Sequence, residues 1–539
     1  MITFEPGGRR VMARPGDTVL EVARSAGILL ASACGGRGSC GNCRVLASPA
    51  GPVAPEDEQS IGPAELALGY RLACRLRAGE RDLTVFIPVA SAELELQLDA
   101  GDDLPAPIVP PDFSGARAAP VDPDGPPAAP VGLAIDLGTT KIAVYLVDLR
   151  DGRSLAAAAV ANPQASFGHD VMSRLDHALR APGGGTALRE TAREGIGAAV
   201  RLACAGAGVR PDHLLAVSLV GNAAMHHLFL GLPVARLAAA PFLPAFGGPL
   251  ELTARELGLE AAPGACCYLP PLIGGHIGSD HLAAMGALQL WRRPGHQVLV
   301  DVGTNTEVSL STPAGRIFSC SCASGPAFEG ARIRHGMRAA PGAVDRVRID
   351  PATGLARVGT VAGRAPAGIC GTGILEAVAE LRLAGLLTPS GGFRDGPGVR
   401  RGPDGRREYL LARGGDGDIT VTQKDVQEVL LAKGAIRAGI DLMLSHAGAS
   451  PGDVDAFWIA GAFGTHLDAR VAVRVGMFPD ISANRFRAVG NAAGAGAREV
   501  LASSASRGAF EALAARIECV ELGSDRDFAA CFARALRLP

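Results

Sequence analysis

A chain of 539 residues is too long for one hydrophobic core and predicts about three or four domains. With 48% hydrophobic and 20% charged residues it reads as soluble and globular, and it contains no apolar run of membrane-spanning length. A formal net charge of −2 provides no basic field to draw a nucleic acid or an anionic membrane surface, so neither is expected as a partner.

The first predicted module, residues 1–90, is organised around Ala33-Cys34-Gly-Gly-Arg-Gly-Ser-Cys40-Gly-Asn-Cys43-Arg, with Cys74 following in Tyr70-Arg-Leu-Ala-Cys74-Arg. A loop that wraps a two-iron cluster must turn tightly while aiming backbone N–H groups at the sulfides, and Gly35, Gly36, Gly38 and Gly41 supply that freedom. Cys34, Cys40, Cys43 and Cys74 are the predicted ligands of a 2Fe-2S cluster. Their spacing, with five residues and then two between the first three cysteines, resembles the adrenodoxin and putidaredoxin branch of the plant-type ferredoxins. A four-cysteine zinc centre is the alternative, although only one Cys-x-x-Cys pair is present. Asp17-Thr-Val-Leu-Glu-Val-Ala-Arg reads as a short helix and Leu83-Thr-Val-Phe-Ile-Pro as a closing strand, in an α+β, ferredoxin-like (β-grasp) domain. Twelve cysteines in so long a chain do not form a disulfide framework, and Met-Ile-Thr-Phe-Glu-Pro lacks a signal pattern, so the expected location is cytoplasmic.

Residues 91–130 are rich in Pro, Asp, Ala and Gly and are predicted to be a flexible, partly polyproline linker. At Val131 the character changes to two apolar runs around a tight turn, Val-Gly-Leu-Ala-Ile-Asp136-Leu-Gly138-Thr139-Thr140-Lys141, followed by a third strand from Ser154. The pattern recurs at Gln297-Val-Leu-Val-Asp301-Val-Gly303-Thr304-Asn305-Thr306-Glu307. Two such hairpins in one chain predict two similar lobes, 131–295 and 296–539, each presenting N–H groups and hydroxyls to phosphate.

Glycine-led helices follow in order. Gly274-Gly275-His-Ile-Gly278-Ser-Asp280 precedes the second hairpin, Trp458-Ile-Ala-Gly461-Ala-Phe463-Gly464 is a strand running into a glycine turn, and Gly490-Asn491-Ala-Ala-Gly494 opens a closing helix. The succession resembles the α/β, two-lobed nucleotide-binding fold of actin, hexokinase, acetate kinase and the chaperone ATPases. That resemblance implies ATP bound at Gly138, Thr139, Thr140, Gly303, Thr304 and Asn305, with adenosine near Gly461 and Gly464 and the closing helix at Gly494.

Asp136 and Asp301 each end an apolar strand where a carboxylate is otherwise unwelcome, and they are read as holding hydrated Mg2+ against the phosphates. Glu307 either positions the attacking water or caps the second hairpin. Lys141 either touches the nucleotide or points to solvent. Thr422 to Asp425 is a helix start, and Lys433 and Arg437, four apart on that helix, are read as a solvated basic face. Cys266, Cys267, Cys320 and Cys322 are read as buried thiols, and His226 and His227 as structural residues.

Together the modules resemble the reductive activators of corrinoid-dependent methyltransferases. The stretches that carry the resemblance are Asn162-Pro-Gln-Ala-Ser-Phe-Gly-His-Asp170, Val220-Gly-Asn222-Ala-Ala-Met-His226-His227, Ser324-Gly-Pro-Ala-Phe-Glu329, Thr422-Gln-Lys-Asp425 and Val489-Gly-Asn491. The resemblance implies that one electron is taken from a donor and passed to a partner corrinoid protein, returning Co(II) to Co(I) at the expense of ATP, and it admits a homodimer. The alternatives are an activator of another low-potential enzyme, such as the 2-hydroxyacyl-CoA dehydratases, a small-molecule kinase with a redox-sensing appendage, or a scaffold ATPase. The dehydratase activators carry a four-iron cluster between subunits, whereas this chain brings its own cysteine loop.

Overall fold

The computed structural model describes residues 1–5, 9–26, 43–79, 81–87, 130–350, 352–414 and 417–539, with residues 28, 30, 32, 36–38 and 41 of the cysteine loop. The expected linker at 91–129 and the ligand positions Cys34 and Cys40 lie outside the described residues.

The first module runs β1 (Ile2–Glu5), β2 (Arg9–Val11), α1 (Val19–Ser25), β3 (Arg44–Ser48), α2 (Pro55–Ser60), α3 (Pro63–Leu68), β4 (Tyr70–Leu72) and β5 (Leu83–Phe86). Its sheet is ordered β2-β1-β5-β3-β4 around the parallel pair β1 and β5, the mixed sheet of a β-grasp domain. The expected short helix begins at Thr18, whose hydroxyl accepts from the Glu21 N–H while the Glu21 carboxylate accepts from the Thr18 N–H. Ile2, Phe4, Val19, Leu20, Val45, Leu72 and Val85 fill its core.

The first lobe comprises β6 (Val131–Leu137), β7 (Lys141–Asp148), β8 (Ser154–Ala161), α4 (Val171–Arg180), α5 (Gly184–Ala207), β9 (Leu214–Gly221), α6 (Ala223–Leu230), β10 (Leu250–Thr253), α7 (Ala254–Leu257), β11 (Cys266–Leu269) and α8 (Ser279–Ala287). The second begins with β12 (His296–Val302), β13 (Thr306–Ser311), β14 (Ile317–Cys322), β15 (Ala343–Ile349), β16 (Ala356–Thr360), β17 (Gly368–Ile369) and α9 (Gly371–Leu383). It continues with β18 (Val399–Arg401), β19 (Arg407–Gly414), β20 (Gly417–Thr422), α10 (Gln423–His446), β21 (Val454–Ala460), α11 (Ala462–His466) and α12 (Ala469–Arg474). The last elements are β22 (Phe486–Gly490), α13 (Ala492–Ala502), α14 (Ser504–Ala514), β23 (Ile517–Cys519) and α15 (Phe528–Ala535).

The two large sheets are ordered β10-β11-β9-β6-β7-β8 and β22-β21-β12-β13-β14-β23. In each, a three-strand meander is extended on its first strand by a parallel partner, β9 beside β6 and β21 beside β12. β6 is buried along its whole length because helices cover both faces, which explains its unbroken apolar run. Between the sheets lies a shared core of Tyr145, Leu282, Leu299, Trp458, Val500 and Phe510. There α8 and α13 approach closely because Gly496 has no side chain; a Cβ would fall 2.1 Å from the Ala283 carbonyl oxygen. The boundary near 296 therefore marks a change of sheet, whereas α13, late in the chain, packs back against the first lobe.

Candidate functional site

Both hairpins turn in three residues, Gly138 to Thr140 between β6 and β7 and Gly303 to Asn305 between β12 and β13. Their tips meet on one carboxylate that the sequence did not single out: Glu329 Oε1 accepts from Thr140 Oγ1 at 2.8 Å and from Thr304 Oγ1 at 2.7 Å. Thr139 Oγ1 accepts from Asn222 Nδ2 at 2.8 Å. Gly138, Gly303 and Asn305 are half-buried beside these hydroxyls.

Asp136 and Asp301 lie at the ends of β6 and β12 as expected. Asp136 Oδ2 accepts from Asn491 Nδ2 at 2.8 Å, and Asn491 in turn caps α13. Burial raises the Asp136 pKa, while the Asn491 hydrogen bond and the Lys141 charge oppose the rise. Asp301 is pushed up to about 7 by burial and by the charge of Asp136. Glu307 stands directly opposite Asp301 in the β12–β13 register and accepts from Ser321 Oγ at 3.2 Å. Burial, then Asp280 and Asp301, raise its pKa well above the usual carboxylate range. Asp280, in the first turn of α8, is raised by burial, Asp136 and Asp301, and it completes a cluster of four carboxylates, of which Asp136 is buried and the other three half-buried. Such a cluster binds protons or a cation. No three acidic, His or Cys side chains among the described residues converge as a metal cage of their own.

The predicted glycines divide by role. Gly461, at the end of β21, has φ 88°, and a Cβ there would fall 2.7 Å from Asp301 Oδ1, so only glycine lets this turn border the carboxylates. Gly464 packs against Ile459, and Gly494 packs against Tyr145 with its N–H donated to Asn491 Oδ1. Near Gly461, Phe463 stacks on Phe328 with centroids 5.3 Å apart, and the start of α9 at Gly371 abuts the Phe328 carbonyl and the Phe463 ring.

In the first module, β3 and β4 bring Cys43 and Cys74 together: Ala73 N–H donates to the Cys43 carbonyl at 2.8 Å, and both thiols are buried. Gly36, Gly38 and Gly41 have positive φ, the tight turning expected of a cluster loop. Arg75 ties that loop down through the carbonyls of Gly36 and Arg37 at 3.2 and 2.6 Å. The described part of the loop fits a two-iron cluster.

Other expectations resolve unevenly. Lys141 is half-buried, and its charge acts on Asp136. Lys433 is fully buried, not on a solvated face: Nζ donates to the Arg537 carbonyl at 2.5 Å because the C-terminal segment covers α10. Arg437 pairs with Asp441 at 2.8 Å. Thr422 and Asp425 form the expected capping box. Cys267, Cys320 and Cys322 are buried as expected, but Cys266 is exposed. His226 is buried with Nε2 2.7 Å from Ser279 Oγ, its pKa lowered to about 3 by burial, and His227 Nδ1 lies 2.6 Å from the Ala223 carbonyl, so both serve structure. No helix among the described residues is long and apolar enough to cross a membrane.

Residues 2–79 match the 2Fe-2S iron-sulfur cluster binding domain, 131–293 the RACo middle region, and 296–539 the C-terminal domain of RACo, the ASKHA domain. The first match favours a two-iron cluster over zinc. The chain is 32% identical over 429 residues, 77% of its length and 72% of the relative's, to the corrinoid activation enzyme RamQ of Eubacterium limosum. It is 28% identical over 406 residues, 69% of each chain, to the [Co(II) methylated amine-specific corrinoid protein] reductase of Methanosarcina barkeri. A solved reductive activator for corrinoid, iron-sulfur protein superposes with a TM-score of 0.70 at 29% identity, covering 100% of this chain and 98% of that one. A cysteine-loop ferredoxin domain and a duplicated two-lobed ATPase fold, joined in one chain with these relatives, show that the protein belongs to the family of reductive activators of corrinoid-dependent methyltransferases.

Proposed function

We propose that the chain couples Mg-ATP hydrolysis to one-electron reduction of a partner corrinoid protein, from Co(II) to Co(I), with the electron supplied by an external donor. The observation that carries the reading is the convergence of both hairpin tips on Glu329 beside a cluster of four carboxylates with raised proton affinity. A nucleotide entering there changes the contact between the lobes as it binds. A cluster held by Cys34, Cys40, Cys43 and Cys74 would supply low-potential one-electron chemistry, near roughly −400 mV for the plant type.

In this reading the half-buried turns, Gly138 to Thr140 and Gly303 to Asn305, offer N–H groups and hydroxyls to the phosphates. Asp136 and Asp301 are the residues that would hold Mg2+, which would supply positive charge to the phosphates. Glu307, beside Asp301 in the ladder, would be the acceptor for the proton of the attacking water. Gly461, Gly464 and the Phe328–Phe463 pair border the adenosine, and Gly494 sets the closing helix. Each tenfold of unfavourable electron transfer corresponds to about 59 mV, so an acceptor a few hundred millivolts below the cluster needs the several kcal/mol that nucleotide turnover provides.

The test uses protein purified without oxygen. It should hold about two irons per chain and give a rhombic half-spin paramagnetic signal on reduction. With donor in excess, the Co(I) absorption band of a methyltransferase corrinoid protein should then appear only when Mg-ATP is added. Zinc without that signal overturns the cluster assignment, and a Co(I) band that develops equally without nucleotide overturns the coupling.

A further inference from the structure

The first phosphate turn is held from behind by a single segment. Asn162 Nδ2 donates to the Gly138 carbonyl at 2.8 Å, and the Asn162 N–H donates to the Thr140 carbonyl at 2.8 Å. The fully buried Arg174 donates to the Thr139 carbonyl at 2.6 Å, to the Gly168 carbonyl at 2.8 Å and to Gln164 Oε1 at 3.2 Å. Every carbonyl of the turn therefore rests on residues 162–174.

The outer face of that segment meets the ferredoxin domain. Arg24, in the last turn of α1, donates to the Ser166 carbonyl, and its guanidinium carbon lies 4.9 Å from the Phe167 ring centroid. Arg37 of the cysteine loop pairs with Asp176 of α4 at 3.1 Å. On its own side Arg24 borders the loop, since a Cβ on Gly36 would fall 3.9 Å from the guanidinium. The α1 helix that carries it is bonded to the segment bearing Cys74, with Leu20 N–H donating to the Ala73 carbonyl at 3.0 Å.

We propose that residues 162–176 form an intramolecular docking face for the ferredoxin domain, and that Arg24 is the positioning residue through which the first phosphate turn acts on the cysteine loop. The inference rests on the nucleotide reading of the hairpins. A phosphate that draws the N–H groups of the turn forward rotates its peptide planes, and the Asn162 and Arg174 donors behind those planes must follow. The Ser166 carbonyl and the Phe167 ring move with them, altering two contacts that depend steeply on distance. The exposed Arg37–Asp176 pair adds little, which leaves the docking weak enough to be biased by a ligand.

Amide hydrogen exchange on the intact, cluster-loaded chain reads this directly, with Mg-ADP as the probe. In the wild type, Mg-ADP should protect residues 137–141 and change exchange at 18–25 by at least about threefold. Arg24→Ala should keep the protection at 137–141 and lose the response at 18–25. Asp176→Ala, on the exposed face of α4, should reduce that response in part. The same nucleotide should alter the line shape of the reduced cluster's paramagnetic signal in the wild type and not in Arg24→Ala. An unchanged response at 18–25 in Arg24→Ala overturns the proposal, as does no response in the wild type when 137–141 are protected. Absence of protection at 137–141 overturns the nucleotide reading itself, and this inference with it.

Discussion

Asp136 and Asp301 occupy the same place in two similarly paired sheets, each paired antiparallel within its meander and parallel to the next strand inward. Their surroundings differ. Opposite Asp136 stands Ala143, and Asn491 and Lys141 offset the buried charge. Opposite Asp301 stands Glu307, Asp280 adds a further acid, and no basic side chain among the described residues offsets the three. The two turns are equivalent in place, but the side chains around them leave the first partly self-neutralised and the second dependent on a proton or a cation. Like charges directly opposed across a ladder are destabilising, so the second hairpin stores a demand that Mg2+ would satisfy.

The sharpest way to break this comparison is to remove each aspartate. Asp301→Ala should lower Mg-ATP hydrolysis by about a hundredfold or more, and Asp136→Ala by less, since electrostatic stabilisation of phosphoryl transfer is usually a large contribution. Steady-state hydrolysis at saturating Mg-ATP, with iron content unchanged, checks it. Wild-type rates in both variants, or a larger loss at Asp136, would contradict the unequal roles.

Glu329 joins the hairpins and so tests whether their difference matters only when they act together. Glu329→Ala leaves Thr140 and Thr304 without their common acceptor and should weaken Mg-ADP binding by about tenfold, the loss of one or two hydrogen bonds to a charged group. Glu329→Gln retains an acceptor oxygen and should bind nearly as the wild type does. Calorimetric titration distinguishes the two, and equal affinity in Glu329→Ala would show the contact to be incidental.

The difference between the hairpins was only partly legible in the sequence. An acid closing an apolar strand before Gly-Thr, twice in one chain, exposed Asp136 and Asp301, and cysteine spacing exposed the ferredoxin module. Asp280 was visible only as part of a glycine-led helix start, with nothing local to place it beside Asp136 and Asp301. Glu329 meets Thr140 across 189 residues of chain, a juxtaposition no local pattern encodes. Lys433 and Arg437 matched a surface pair at helical spacing, but the C-terminal residues that bury Lys433 arrive 104 positions later. Gly464 and Gly494 were visible as glycines, but their close packing against Ile459 and Tyr145 depends on residues brought up by the fold.

The acidic second hairpin also makes stability depend on pH. Asp301 has a folded-state pKa of about 7 against an ordinary value of 3.8, so the folded protein binds more protons between those limits. Its contribution is fully present below the unfolded value and is lost as pH rises through about 7. Nucleotide-free protein without divalent metal should therefore melt about 2–4 °C lower at pH 8 than at pH 6. Mg-ADP should recover the difference, and Asp301→Asn should flatten it. A melting temperature that rises over that interval in wild type would refute the assignment.

The smallest expected effect comes from the first hairpin, at Lys141. Its charge lowers the proton affinity of a carboxylate that burial has raised, so removing it should raise the Asp136 pKa further. In Lys141→Thr the acid limb of the hydrolysis profile should move upward by less than about one pH unit, with the rate on the alkaline plateau nearly unchanged. The shift should persist at moderate salt, because the partner carboxylate is buried and poorly screened. A lysine that instead contacts the nucleotide phosphates predicts a different pattern: a raised KM for ATP at every pH and no movement of the acid limb. Measuring KM and kcat across the profile separates the two, and the second pattern would mean that the first hairpin uses its lysine on the ligand and is not self-neutralised.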